Sequence, residues 1–319
     1  MTILLWGLMR DLPLAAVHRQ LRRLDAPVRF LDQRLVLDMA LDIGDRDSVH
    51  VRGEEFDLDA VHAAYLRPHE SARLPAVLAT PPGSPERRHA VHVDQALNAW
   101  SDRTPAYVLN RPRAATSNGS KPYQLRAVAA VGFRVPHTLV TTDPLRAAEF
   151  LREHEDVIVK SVSGVRSRVR RVGRSDADRL ADVANCPTQF QRRVSGVDVR
   201  VHVVGAELFA TEISSAADDY RYARQLGCAE PTLTEIDLPD DVAARCRALS
   251  ARLQLPVAGI DLRRTPDGEW FCFEVNPSPG FTYYESSTGQ PIAAAVAGLL
   301  AAAALCRRRD PLHREEVPA

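Results

Sequence analysis

Lysine is almost missing from this chain. Of 41 basic residues among 319, Lys121 and Lys160 are lysines and the other 39 are arginines. An ammonium is a compact point charge on a flexible stem, whereas a guanidinium is a wide planar fork. One tight polyphosphate site accounts for both survivors; chance survival of a compositional drift is the alternative, and the setting of each lysine decides. Net charge is missing too, because 41 acidic residues balance the basic ones. That excludes a general electrostatic grip on nucleic acid or on an anionic membrane. The five cysteines (Cys186, Cys228, Cys246, Cys272, Cys306) form no CxxC and no His/Cys cluster with zinc-ligand spacing. They read as reduced thiols of a cytoplasmic protein. The start, MTILLWGLMRD, lacks the basic leader of a signal peptide. The alanine-rich stretch 292–306 is too short to span a bilayer. It reads as a buried helix whose closing Arg307, Arg308 and Arg309 suit a helix C-terminus.

What is present is ordinary for a globular protein, with 45% apolar and 26% charged residues and a length that suggests about two domains. The opening reads strand–helix–strand: ILLWG, then LPLAAVHRQLRRL, then VRFLDQ. Further short strands (LVLDMALDI, VHVRG, AAYLRP) and a polar helix around Glu86 to Trp100 complete a small α/β domain of about 105 residues. Gly7 stands alone after the first strand, so no phosphate loop is recognisable there and a nucleotide must bind elsewhere. From Tyr107 a loop full of caps and turns leads to the helix KPYQLRAVAAVG, with Ser120 as N-cap and Lys121 and Pro122 in its first turn. Strand PHTLVTT, a helix from Asp143 to Glu153 and strand DVIVK follow. That strand delivers Lys160 into the loop SVSGVRSRVRR. Later come the strands FQRRV and DVRVHVVGAELFATEI, a helix from Asp240 to Leu253, and the hairpin AGIDLRRTPDGEWFCFEVN turned at Pro266-Asp267-Gly268.

The hairpin carries the first chemical signal. Two-residue alternation puts Glu274 and Asn276 on one face of its second strand. If Thr265 and Gly268 close a tight turn, Asp261 lies diagonally across from Glu274 on that face. A one-residue slip of register would spoil this placement. Two carboxylates and an amide oxygen are hard ligands that suit a magnesium ion also holding phosphate oxygens. A solvated hairpin face is the plainer alternative. The neighbours Gly259-Ile260, Phe271-Cys272-Phe273 and Val275 are apolar, however, and charges inside such strands need a partner or a metal. Lys160 ends an apolar strand that can aim it into a cleft, and Lys121 sits at a helix start, where backbone N–H groups favour anions. Arg200 alternates with valines and shares a face with Asp198 and His202; it either pairs with Asp198 or clamps a phosphate. Arg221 lies in a polar loop, where a surface role is the default.

Read in order, SKPYQ, VIVKS, QRRVSGVDVRVHVVG, DYRYA, GIDLRRTPDGEW and FEVNPSPG resemble the ATP-grasp ligases, most nearly the RimK-like branch. The segments NRPRAATSNGSKPYQLRAVAAVGFRVPHTLVTTDP and TYYESSTGQPIAAAVAGLL are also similar to the graspetide or microviridin maturases, ATP-grasp ligases that crosslink ribosomally made peptides. The resemblance runs from about Asn110 to Leu305, and GID…EVNPSPG is its most specific part. It implies an α/β (α+β) ATP-grasp fold. In that fold an N-terminal pre-ATP-grasp domain takes residues 1–108, a lid subdomain 109–195, a C-terminal subdomain with the metal site 196–306, and a charged tail 307–319.

The resemblance further implies that Lys121 and Lys160 contact the ATP phosphates and that Gln191, Arg192, Arg193 and Val194 form the hinge against the adenine. Asp198 would hold the ribose. Arg200 and Arg221 would stabilise the transferred phosphoryl group, Asp261, Glu274 and Asn276 would bind magnesium (or manganese), and Ser278 and Gly280 would border the acceptor site. Arg192 and Arg193 stand where RimK-like enzymes have an acidic residue followed by an aromatic one, which leaves the hinge backbone to serve the base. The lid loop departs as well, since it carries Arg166, Arg168, Arg170, Arg171 and Arg174 in place of glycines. The implied activity is ADP-forming ligation of a carboxylate to an amine or hydroxyl through an acyl-phosphate. The substrate is a peptide such as a ribosomally made precursor, or, on the strength of NPSPG, a small amino acid. A binding protein without catalysis is the reading from another class, against which both lysines and all three presumed metal ligands stand. The partners implied are ATP and the substrate, with neither nucleic acid nor membrane, and a homo-oligomer is compatible.

Overall fold

A strand can be buried along its whole length only inside a sheet that is covered on both faces. Ile3 to Gly7 are all buried, and in the computed structural model they form such a strand. The model describes residues 1–162, 169–215, 224 and 227–308. The chain begins β1 (Ile3–Gly7), α1 (Leu12–Arg23), β2 (Val28–Asp32), β3 (Met39–Asp42), β4 (Ser48–Val51), β5 (Glu54–Asp57), β6 (Ala63–Arg67), α2 (Pro75–Leu78), α3 (Pro85–Arg103), β7 (Tyr107–Leu109) and α4 (Pro112–Ala115). Strands β2-β1-β6-β7 make a four-stranded parallel sheet, and β3-β4-β5 an antiparallel meander. Leu4, Trp6, Leu31, Ala64, Leu66 and Val108 pack with Ala90, Val93, Leu97 and Trp100 of α3 in one core cluster. The stretch LVLDMALDI does not make one strand. Its first part belongs to a 3₁₀ turn, Gln33–Asp38, because the Asp32 carboxylate accepts the Arg34 N–H and starts a turn.

The chain continues α5 (Lys121–Ala130), β8 (Thr138–Thr141), α6 (Pro144–Glu153), β9 (Val157–Ser161), β10 (Arg170–Val172), β11 (Thr188–Arg192), β12 (Val197–Val204), β13 (Glu207–Ser214), β14 (Thr232–Ile236), α7 (Asp240–Arg252), β15 (Val257–Arg264) and β16 (Trp270–Asn276). Two sheets result, β10-β9-β11-β8 and β14-β13-β12-β15-β16. In the first, Val157, Val159 and Phe190 pack on Ala147 and Phe150 of α6 and on Leu180 and Val183 of the 3₁₀ stretch Arg174–Asn185. Alternation then turns Ile158, Lys160, Gln189 and Gln191 to the opposite face. The chain ends in α8 (Thr282–Thr288) and α9 (Ile292–Arg308).

The contacts divide the chain into two compact units. One holds residues 1–115, 255–257 and the described part of 278–319; the other holds the described parts of 116–254 and 258–277. The division falls where packing changes partner. Helix α9, predicted as part of the C-terminal subdomain, packs on α1, β1, β6 and β7 of the first unit. Among the described residues no helix is long and apolar enough to cross a membrane, and no disulfide joins any of the five cysteines.

Candidate functional site

The hairpin β15–β16 pairs in an ordinary antiparallel register from Arg264↔Trp270 to Leu262↔Cys272, and then slips by one residue. Phe273 is the extra residue of this bulge, and beyond it Asp261 lies directly opposite Glu274, with Gly259 opposite Asn276. The expected diagonal placement is therefore replaced by a direct one. A bulge re-aims side chains in this way; without it Asp261 would face Phe273 instead. Among the described residues no group of three or more His, Cys, Asp or Glu converges. The candidate donor set is thus two carboxylates and the Asn276 amide, all-oxygen chemistry that fits magnesium sharing its shell with phosphate oxygens.

Arg200 on β12 is buried, and its Nη1 donates to Asp261 Oδ1 at 2.5 Å. Sequence reading offered Asp198 or a phosphate as the partner of Arg200; the contact described is to a third group, the presumed metal ligand Asp261. Gly259 makes room for it, since a Cβ at that position would lie 2.1 Å from Arg200 Nη2. His202, one alternation further along, is held neutral: burial and then the Arg200 guanidinium push its pKa well below the ordinary 6.5. Burial, reinforced by the neighbouring Cys246, Asp261 and Glu274, likewise keeps the Cys272 thiol protonated.

Asp198 has a different partner, which sequence reading passed over. Arg263 donates from Nε to Asp198 Oδ1 at 2.7 Å and from Nη1 to the Val194 carbonyl at 2.8 Å, so one side chain fixes both ends of the 194–198 turn to the hairpin. The signal was available, because Arg263 shares with Asp261 the alternation that singled out the carboxylate. The Arg263 guanidinium also lies 5.3 Å from the Phe273 ring centre, and Lys160 Nζ lies 5.4 Å from the same centre. The bulge residue thus carries two cations on its ring.

Lys160 is directly opposite Gln189, and Gln191 opposite Ile158, across β9 and β11. Both glutamines are buried, and the Oε1 atom of each has no hydrogen-bond partner among the described residues. A buried carbonyl left so requires an explanation, and here both share the face that carries Lys160. Gln191 Nε2 donates to Thr138 Oγ1 at 3.0 Å, which fixes the amide plane. Of the expected hinge, the Arg192 N–H donates to the His137 carbonyl and the Arg193 N–H to the Asp156 carbonyl, while the Arg193 side chain pairs with Asp156. Lys121 begins α5 as expected, although Ser120 makes no side-chain cap. One turn on, buried Gln124 brackets Val275 of β16, donating to its carbonyl at 2.7 Å and accepting its N–H at 3.2 Å. That clamp ties the Lys121 helix to the strand bearing Glu274 and Asn276.

Arg221 lies outside the described residues, as do Arg166 and Arg168; of the lid arginines, Arg170 pairs with Asp176. Ser278 and Gly280 are exposed in the first unit, on either side of buried Pro279.

A sheet bearing a strand-end lysine, set with a second sheet whose bulged hairpin opposes two carboxylates, is the arrangement of an ATP-grasp domain. The RimK-like ATP-grasp domain model matches residues 117–300, and the chain belongs to that family. It is 29% identical over 199 residues to the ribosomal protein bS6–L-glutamate ligase of Salmonella paratyphi B, with 59% of this chain and 65% of that protein matched. The match thus spans just under two thirds of the length of such curated relatives. Among solved structures, ATP-grasp ligase PsnB complexed with a phosphomimetic variant of its minimal precursor, Mg and ADP superposes with a TM-score of 0.77 at 26% identity, covering 94% of this chain and 98% of PsnB. A Chryseobacterium gregarium RiPP-associated ATP-grasp ligase in complex with ADP and a leader and core peptide reaches 0.81 at 20% identity, with 97% of each chain covered. Macrocyclase MdnC of Microcystis aeruginosa, bound with precursor peptide MdnA, reaches 0.78 at 21% identity, covering 94% of this chain and 99% of MdnC. The last two likenesses bear on fold alone.

Proposed function

We propose that this chain is an ATP-dependent, ADP-forming ligase. It activates a side-chain carboxylate of a ribosomally made peptide as an acyl-phosphate and passes it to an amine or hydroxyl, closing an amide or ester. The observation that carries this reading is the whole-length likeness to PsnB, which extends over the N-terminal unit as well as the ATP-grasp region and which in another complex holds precursor peptide PsnA2. The chemistry needs positioned charge and no nucleophilic triad. Lys121 and Lys160 hold the phosphates, Asp198, kept in place by Arg263, holds the ribose, and Gln191 to Val194 line the adenine. Arg200 and Arg221 offset the charge of the group in transfer. Asp261, Glu274 and Asn276 would hold magnesium, or manganese in its place, which would neutralise phosphate oxygens during in-line transfer. Ser278 and Gly280 border the acceptor.

A second reading, ligation of a free amino acid, is favoured by the glutamate ligase relative. Incubation with ATP and a candidate precursor peptide, followed by mass spectrometry, separates the two. The peptide reading predicts loss of one water per closed link with matching ADP release. A gain of one amino-acid residue, or ADP release only with free amino acids, would overturn it.

A further inference from the structure

The strand order of the parallel sheet in the N-terminal unit switches sides between β1 and β6: β1 connects through α1 to β2 on one side, while β6 continues to β7 on the other. In open parallel sheets the crevice outside the carboxyl ends of the strands at such a switch is where ligands bind. Here that edge is built with care. Gly7 ends β1, and a Cβ there would lie 2.7 Å from the Arg67 carbonyl, so the two strand ends approach as only glycine allows. Arg67 donates from Nε and Nη2 to the Asp11 carboxylate at 2.8 and 3.2 Å and from Nη1 to the Pro279 carbonyl at 3.2 Å. The loop after β6 is fixed from below by a buried polar network. Gln33, fully buried, accepts the His69 N–H at 2.9 Å and donates to the His69 carbonyl and to Ser71 Oγ. Ser71, also fully buried, donates through its N–H and Oγ to Asp94 at 2.8 and 2.7 Å.

A network of this kind rigidifies what it holds, and what it holds is a concavity of about 190 Å³ lined by Arg10, His69, Glu70, Arg73 and Leu74. Arg10 follows β1, and the other four follow β6. The Asp11–Arg67 pair beneath is internally neutral, and Glu70 answers Arg73 at 2.9 Å. Among the described residues no carboxylate pairs with Arg10, which is left as excess positive charge beside His69. No role in nucleotide binding or phosphoryl transfer uses these residues.

We infer that this concavity at the switch in strand order is a docking subsite for a carboxylate side chain of the peptide substrate, received by Arg10 and Arg73. The inference rests on the peptide reading above. Glu70 acts as the resident competitor, releasing Arg73 when a peptide glutamate or aspartate enters. Arg67 carries the same edge to Pro279, between the two residues assigned to the acceptor, so a docked peptide is tethered in register with that loop.

The test is fluorescence anisotropy of the full chain with a labelled glutamate-rich peptide and its glutamine counterpart. The glutamate peptide should bind about 10-fold more tightly, as expected when charge-assisted pairs replace neutral ones. Arg10→Ser combined with Arg73→Ser should abolish that preference, and Glu70→Gln should tighten binding several-fold, a gain that a merely structural role would not produce. ATP affinity should stay unchanged in both variants, whose surface substitutions leave the Gln33–Ser71–Asp94 network intact. An acidic preference that survives the double substitution would overturn the subsite, as would weakening by Glu70→Gln or equal competition by free glutamate. Failure of the ligase reading shows separately, as absent ATP binding by the unsubstituted chain.

Discussion

The hairpin β15–β16 and the sheet that carries Lys160 face the same task by opposite means. Around the hairpin the charges already answer one another: Arg200 lies on Asp261 and Arg263 on Asp198. On the Lys160 face two glutamine carbonyls are buried without hydrogen-bond partners among the described residues, and the cation rests on an aromatic ring. The first region sets positions through charge pairs that are complete without a ligand, while its carboxylates also form the candidate magnesium site. The second leaves two buried acceptors that a ligand with hydrogen-bond donors would satisfy.

The sharpest way to break this comparison is to remove a carboxylate at the bulge. Glu274→Gln should lower carboxylate-dependent ADP formation by about 10³-fold with little loss of stability, because charge stabilisation at the reacting group is worth about 10²–10³-fold per group; steady-state ADP release and a thermal melt check both halves. Arg200→Ala should be costly in both respects. The Arg200 side chain is 7% exposed and that of Asp261 26%, and removing one partner of a buried pair destabilises by about 3–5 kcal/mol. Gly259→Ala tests the same contact without deleting the arginine. Its Cβ would overlap the buried Arg200 guanidinium and force it off Asp261, so activity should fall about 10²-fold, the worth of one stabilising group, with a loss of stability approaching that of Arg200→Ala. If Gly259→Ala keeps full activity, the Arg200–Asp261 contact has no catalytic meaning.

Smaller effects sharpen the lid side. Gln191→Met removes an orphaned carbonyl from the buried face. The ligand-free chain should become slightly more stable, while ATP binding weakens about 5-fold, the value of one hydrogen bond of about 1 kcal/mol. Parallel melts with and without ATP read both signs, and a variant destabilised without ATP would contradict the account. Smallest is a pH effect from the complete side. His202 binds a proton less readily folded than unfolded, so the unfolded chain takes up more protons below about pH 6.5. Stability should therefore fall as pH drops below that value and hold above it. His202→Gln should flatten this part of the melting profile.

Much of the site was legible from residue order because strands have a strict period. Alternation placed Glu274 and Asn276 on one face and aimed Lys160 from a strand end, while Asp261 was placed diagonally across from Glu274 only through the turn at Thr265–Gly268. The bulge at Phe273 was not legible, since it is a property of pairing between two strands and no residue in FCFEV announces it. Arg263 escaped notice for a related reason: its partners Asp198 and Val194 are 65 and 69 residues away, and an arginine in a turn-proximal hairpin reads as solvated. Gln124 was inside a recognised motif, but its role appears only when α5 meets Val275. In the N-terminal unit the strand–helix–strand opening was legible, whereas LVLDMALDI misled because an aspartate-capped turn competes locally with the strand pattern. The return of α9 to α1 is a long-range packing choice that no local pattern encodes.

The two surviving lysines are proposed as point charges at one nucleotide site, and Lys160, whose Nζ lies over the Phe273 ring, is the one whose surroundings are described. Calorimetric titration of ATP with magnesium into the unsubstituted chain and into Lys160→Arg tests this proposal most directly. ATP affinity should be weakened by about 10-fold or more for the arginine variant, with an unchanged melting temperature, because a wide planar fork cannot reproduce the contact of a compact ammonium with a single phosphate oxygen. Equal affinity for the two proteins would contradict it.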